Sequence, residues 1–222
     1  MLWLASYPRS GNTFFRIVLS EVYGIESSEF YDPQLQATDR TYLQAPVVKT
    51  HLLPYELLPK DASIPAVYLV RDGRDAVVST ARHHCDLVKP GAPFVRTLVG
   101  AIWARPGSYF GGWSRHVRLW RKRAALILRF EDLIADPLGT VEQVRAIYPL
   151  PPPRTDRVPS FADLRAQPFD FGPYAAPLKD SRFREKFFRR GKIGAWRDEM
   201  PLFCRFLFYC RHGRVLREMG YT

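Results

Sequence analysis

The apolar run Leu2-Trp3-Leu4-Ala5 passes straight into Ser6-Tyr7-Pro8-Arg9-Ser10-Gly11-Asn12-Thr13, then into a stretch with helical apolar spacing. A short, wholly apolar run bounded by Pro and Gly reads as a strand buried on both faces. A buried strand, a tight polar turn and an amphipathic helix form the opening unit of a parallel α/β sheet.

The unit repeats. Apolar runs at 45–48, 66–70 and 124–130 read as further strands, and 13–23, 75–83, 113–123 and 137–147 read as helices. Pro149-Leu150-Pro151-Pro152-Pro153 ends the last of these. A closing helix is expected over 199–219, bent near Pro201. The expected fold is a single α/β domain over residues 1–222, with a mainly parallel central sheet flanked by helices. Segments at about 27–42, 84–112 and 169–186 read as irregular.

Lys plus Arg number 33 against 22 Asp plus Glu, a formal charge of +11, which points to an anionic partner. No apolar run approaches the roughly 20 residues that span a bilayer. The first residues lack the basic and apolar regions of a signal peptide. The three cysteines form no CxxC pair. A reducing, cytoplasmic setting is therefore expected, with no metal centre.

Residues that carry chemistry fall where strands end, the ligand-binding edge of an open parallel sheet. In the first turn Gly11 permits a close backbone approach, Arg9 adds a fixed charge, and Ser10, Asn12 and Thr13 offer polar groups at a helix N-terminus. That is a cradle for a phosphate-like anion. A plain capped turn is the competing reading.

At a second strand end, Lys49-Thr50-His51 places a cation and an imidazole on one side of an extended chain. The pair suits a general base beside positive potential. At a third strand end, Arg71 and Ser79 stand eight residues apart and can grip a second phosphate. Arg74 and Asp75 read as a local pair at a helix start, and His116 reads as structural.

These motifs, in order, resemble the cytosolic-type sulfotransferase family. Tyr7 to Phe14 is similar to its 5′-phosphosulfate loop, Lys49-Thr50-His51 to its catalytic-histidine strand, and Arg71 through Ser79 to its 3′-phosphate strand and helix. Arg129-Phe130-Glu131-Asp132-Leu133 resembles its Tyr-Glu-Asp segment, and Phe188-Arg189-Arg190-Gly191-Lys192-Ile193-Gly194-Ala195-Trp196 its Arg-Lys-Gly…Gly-x-Trp signature. Arg9 stands where many members have lysine, Asn12 where threonine is common, and Pro159 where a threonine often approaches adenine.

The resemblance implies a nucleotide-kinase-like fold with a P-loop-like phosphosulfate loop. It implies sulfuryl transfer from 3′-phosphoadenosine 5′-phosphosulfate (PAPS), leaving adenosine 3′,5′-bisphosphate (PAP), with no metal ion. His51 would be the base, with Arg9 and Lys49 assisting. Arg9, Ser10, Gly11, Asn12 and Thr13 would hold the 5′ end, Arg71, Ser79, Arg189, Arg190 and Gly191 the 3′-phosphate, and Phe14, Phe130 and Phe161 the adenine.

The acceptor would be a small molecule, glycoside or natural product, covered by the three irregular segments. Trp103, Tyr109, Phe110, Phe169, Phe171 and Tyr174 are candidates to line its pocket. Two other classes compete. A P-loop kinase would need GxxxxGK[ST], which is absent, and a magnesium-binding carboxylate pair, which is not evident. A basic nucleic-acid binder would show steep salt dependence and no preference for a 3′-phosphorylated nucleotide.

Overall fold

Five short strands form one all-parallel sheet: Leu2–Ser6 (β1), Ser27–Phe30 (β2), Val47–Thr50 (β3), Ala66–Val70 (β4) and Leu126–Arg129 (β5). Their order is β2-β3-β1-β4-β5. The structure, a computed structural model, describes residues 1–104, 108–171, 173–189 and 191–222. β1 is central, with Leu2 opposite Val47 on one side and Trp3 opposite Ala66 on the other.

β1 and β4 are apolar along most of their length because both sheet faces are covered. Strand alternation divides their side chains between two cores. Trp3, Ala5, Tyr68 and Val70 pack with Trp113, Trp120 and Phe208 on one face. Leu2, Leu4, Val67 and Leu69 pack with Phe15, Val18 and Leu133 on the other.

The helices are Asn12–Tyr23 (α1), Gly73–His83 (α2), Phe94–Ile102 (α3), Trp113–Arg123 (α4) and Phe130–Ala135 (α5). They continue with Pro137–Glu142 (α6), Asp163–Ala166 (α7), Ser181–Phe187 (α8), Trp196–Glu199 (α9) and Leu202–Glu218 (α10). α1 stops at Gly24, whose left-handed φ of 67° turns its N–H back onto the carbonyls of Leu19 and Ser20. No helix among the described residues is long and apolar enough to cross a membrane.

Several boundaries differ from the sequence reading. β2 falls in a segment read as irregular, because Ser27-Ser28-Glu29-Phe30 lacks an apolar alternation. α3 likewise falls inside 84–112, and α7 and α8 lie in the tract after residue 153. The strand expected to reach residue 130 stops at Arg129, and Phe130 opens α5. The helix over 137–147 ends at Glu142 and tightens into a 3-10 turn. The closing helix is two helices, because Pro201 has no N–H to continue α9.

Candidate active site

The turns after β1, β3 and β4 open at the same carboxyl edge and line a cavity of about 490 Å³. In the first turn Arg9 (φ 65°) and Gly11 (φ 91°) are both left-handed. Alternation of this kind turns backbone N–H groups inward as an anion nest. α1 receives no side-chain cap. Ser10 Oγ is buried without a hydrogen-bond partner. Asn12 turns its amide inward, donating to Ser6 Oγ at 3.1 Å and the Leu4 carbonyl at 3.4 Å. The capped-turn reading therefore fails, and the N-terminal groups of α1 stay open.

Arg9 donates from Nε to Ser79 Oγ at 3.4 Å and from Nη2 to the carbonyl of Phe187, and its guanidinium stacks 4.1 Å from the Phe187 ring centroid. Burial, with Arg71 and Arg189 nearby, lowers its pKa to about 9. Arg71 donates to the Arg9 carbonyl at 2.9 Å and the Lys192 carbonyl at 3.3 Å, and its Nε has no partner. Crowded, buried cations with unspent donors mark a site built for a polyanion.

Asp75 does not pair with Arg74. Arg74 binds Asp72 instead, Nη2 to Oδ2 at 2.7 Å, while Asp75 accepts from the backbone N–H groups of Gly194 and Trp196 at 2.7 and 2.8 Å. That clasp ties the 191–196 segment to α2, beside Arg71. Arg189 reaches the cavity wall and pairs with Glu199 at 2.6 Å. Arg190 lies outside the described residues.

Phe161 packs edge-on against Phe14 and Phe188, each at 6.1 Å, making an aromatic box beside this cluster. Gly191 has φ 58°, and a Cβ there would run into the Phe161 ring. Phe130 stacks under Arg71 at 4.2 Å and against Gly11, so its ring backs the cationic cluster.

His51 Nδ1 lies 2.7 Å from the Ser6 carbonyl oxygen. That oxygen can only accept, so Nδ1 carries the proton and Nε2 keeps its lone pair. Burial, then the Lys49 charge, hold the imidazole well below its usual pKa, so it is neutral at pH 7. His116, fully buried, braces it from behind: Nε2 donates to the His51 carbonyl at 3.0 Å and Nδ1 accepts from Tyr68 hydroxyl at 2.9 Å.

Lys49 lines the same cavity but is not a bare charge. Its Nζ lies 3.0 Å from Glu29 Oε2, and Glu29 Oε1 takes Arg16 Nη1 at 2.5 Å. Register sets this up, because Glu29 on β2 pairs directly with Lys49 on β3. Glu29 and Arg16 were not anticipated as site residues. One sequence signal was available: Arg16 interrupts the apolar helical run Phe14-Phe15-Ile17-Val18-Leu19, and a buried arginine demands a carboxylate.

The remaining wall is largely aromatic and aliphatic. Tyr109, Phe110 and Phe171 from the anticipated segments contribute, with the Phe110 ring tilted 56° to that of His51 at a centroid distance of 5.7 Å. Phe183, also within 169–186, and Phe187, just beyond it, join them from α8. Trp103 lies elsewhere, 45% exposed under Arg211, and Phe169 packs on the core. The side chain of Tyr174 lies outside the described residues.

The family model described as "Sulfotransferase domain" matches residues 1–203. Cytosolic sulfotransferase 1 of Danio rerio is 24% identical over 236 residues, covering 90% of this chain and 77% of that one. Sulfotransferase 1A1 of Mus musculus is 24% identical over 258 residues, covering 99% and 85%. Among solved structures, mouse sulfotransferase SULT7A1 complexed with PAP is similar in fold, with a TM-score of 0.71 at 18% identity, covering 98% of this chain and 88% of that one.

Proposed function

Because the chain belongs to the sulfotransferase domain family, we propose that it transfers a sulfuryl group from PAPS to a hydroxyl or amine of a small-molecule, glycoside or natural-product acceptor. His51 is the general base in this reading. The observation that carries it is the Nδ1–H of His51 held on the Ser6 carbonyl, which leaves Nε2 free to accept a proton at the cavity wall.

The residues fit the donor's chemistry. Ser10 Oγ and Arg71 Nε are buried polar atoms without partners beside the open N-terminus of α1, and Phe14, Phe161 and Phe188 form a box for a purine. The donor supplies the sulfuryl group and leaves as PAP. His51 takes the acceptor's proton as the new oxygen–sulfur or nitrogen–sulfur bond forms. Arg9 stabilises negative charge on the bridging oxygen as its bond to sulfur breaks.

Arg71, Ser79, Arg189, Arg190 and the Gly191 backbone hold the 3′-phosphate. Lys49, neutralised in part by Glu29, contributes positive potential next to His51. Retinol dehydratase, solved in complex with androsterone and PAP and in complex with retinol and PAP, is similar in fold at TM-scores of 0.67 and 0.68. The apolar wall of this cavity suits acceptors of comparable hydrophobicity.

Calorimetric titration with PAP beside ADP at moderate salt tests the donor assignment. Tight binding of PAP and weak binding of ADP is expected. Equal binding of both, or none, would return the choice to a kinase-like or nucleic-acid-binding protein.

A further inference from the structure

Among the described residues that line the cavity, two are carboxylates, Glu29 and Asp75. Asp75 is occupied by the backbone N–H groups of Gly194 and Trp196. Glu29 is paired with Lys49, two residues before the base. A carboxylate lining a cavity that takes a polyanionic donor repels that donor, so its presence there calls for a compensating task.

Neutralising Arg16 occupies only one of its oxygens. Oε1 takes Arg16 Nη1 at 2.5 Å, whereas Oε2 takes Lys49 Nζ at 3.0 Å. The carboxylate is itself held from behind. Arg16 also donates to Ser27 Oγ at 2.6 Å and stacks 4.7 Å from the Phe171 ring centroid, and Glu29 sits opposite Lys49 in the β2–β3 register.

Lys49 needs such an anchor, because its ammonium ends a flexible four-carbon stem. Among the described residues Glu29 is the only acceptor it meets, which leaves two of its three donors unused. Its place matters to the base: after burial, the Lys49 charge is the largest influence on the His51 imidazole.

We infer that Glu29 is a positioning residue for the reaction, one that acts through Lys49 by holding its ammonium at the cavity wall beside His51. The inference rests on the sulfotransferase reading. Glu29 makes no bond to the reacting groups in it. The carboxylate fixes the place from which Lys49 offers positive charge to the sulfuryl group in transit.

The test measures PAP release from PAPS, with 2-naphthylmethanol as acceptor probe and with water alone. In either case the attacking oxygen bonds to sulfur as the bridging oxygen leaves with PAP, and His51 takes the proton. Wild type is compared with Glu29→Gln, Lys49→Met, the double variant of both, and Arg16→Met/Glu29→Gln. The last removes both charges of the buried pair, an exchange that is often neutral for stability, and so covers the case in which Glu29→Gln alone fails to fold. Active sites are counted by calorimetric titration with PAP, whose affinity is expected to stay near the wild-type value throughout.

Glu29→Gln and Arg16→Met/Glu29→Gln should each lower kcat about tenfold or more while KM for PAPS barely moves, as misplacement of a positioned group does. Adding Glu29→Gln to Lys49→Met should cost nothing further, because the group that Glu29 positions is already gone.

Unchanged kcat in Glu29→Gln overturns the inference. So does recovery of wild-type kcat in Arg16→Met/Glu29→Gln, which would confine Glu29 to neutralising Arg16, or a further loss of full size in the Lys49→Met background. No cleavage of PAPS by wild type with either acceptor overturns the sulfotransferase reading as well, and is distinguishable because it appears before any substitution is made.

Discussion

The guanidinium of Arg71 donates to the backbone carbonyl of Arg9 at 2.9 Å. The residue proposed to grip one end of the donor therefore also fixes the turn that cradles the other end. Arg9 sits in a left-handed conformation, φ 65°, costly for a residue with a Cβ, and Arg71 helps to hold it there. Arg71→Ala should weaken PAP far more than ADP in calorimetry. It should also lower kcat at saturating donor by about tenfold or more, as misplacement of a positioned group does. Equal losses for PAP and ADP, with kcat unchanged, would remove Arg71 from both roles.

His51→Ala should abolish turnover and leave PAP affinity nearly as it was. Because burial and Lys49 keep the imidazole well below its usual pKa, wild-type kcat/KM should stay flat from pH 8 down through 6.5. It should fall only under more acidic conditions. A pH–rate profile with its acid limb at or above 6.5 would contradict the assigned base.

Stability should fall on acidification earlier than carboxylate titration predicts. Burial holds His116 and His212 at about 4, whereas histidine in an unfolded chain titrates near 6.5. Between those values the unfolded state binds more protons, so the stabilisation is complete above about pH 6.5 and is lost as pH drops towards 4. Each histidine contributes about 1.4 kcal/mol per pH unit in that window. Asp75, raised by burial, works in the opposite sense. Thermal melts at pH 7.5 and 5 should differ by roughly ten degrees, and His212→Gln should shrink the gap.

Glu29→Ala should destabilise the protein by about 3 kcal/mol, because it removes the carboxylate that buried Arg16 shares with Lys49. Urea unfolding measures this. PAP affinity should change little, since Glu29 faces the end of the cavity near Lys49 and His51. A near-zero stability change would mean that the Arg16–Glu29–Lys49 network is solvated.

Gly191→Ala should weaken PAP binding by more than tenfold with a smaller effect on the melting temperature. The backbone there is left-handed at φ 58°, and the new methyl would displace Phe161 from its box with Phe14 and Phe188. Unchanged affinity would show that Phe161 does not contact the nucleotide.

Much of the site was legible because its residues lie next to each other in sequence. The Arg9 to Thr13 turn, Lys49 with His51, and Arg71 with Ser79 announce themselves through local spacing at strand ends. Glu29 did not, since nothing in Ser27-Ser28-Glu29-Phe30 marks an edge strand. Its meaning arises only when β2 pairs with β3 and sets it against Lys49. Phe187 was silent for the same reason, being brought onto Arg9 across the fold by α8.

The sequence by itself determined the parallel α/β class and the order of the strand-end motifs. Apolar runs, glycine turns and i, i+8 helical spacing are local, and local sterics and periodicity read them directly. Only the tertiary structure decided which nitrogen of His51 is free, that Arg74 pairs with Asp72 and not Asp75, and that Lys49 is half neutralised. Each of those depends on a partner's distance and burial, which set hydrogen bonding and charge at the site and are fixed by packing between segments far apart in the chain.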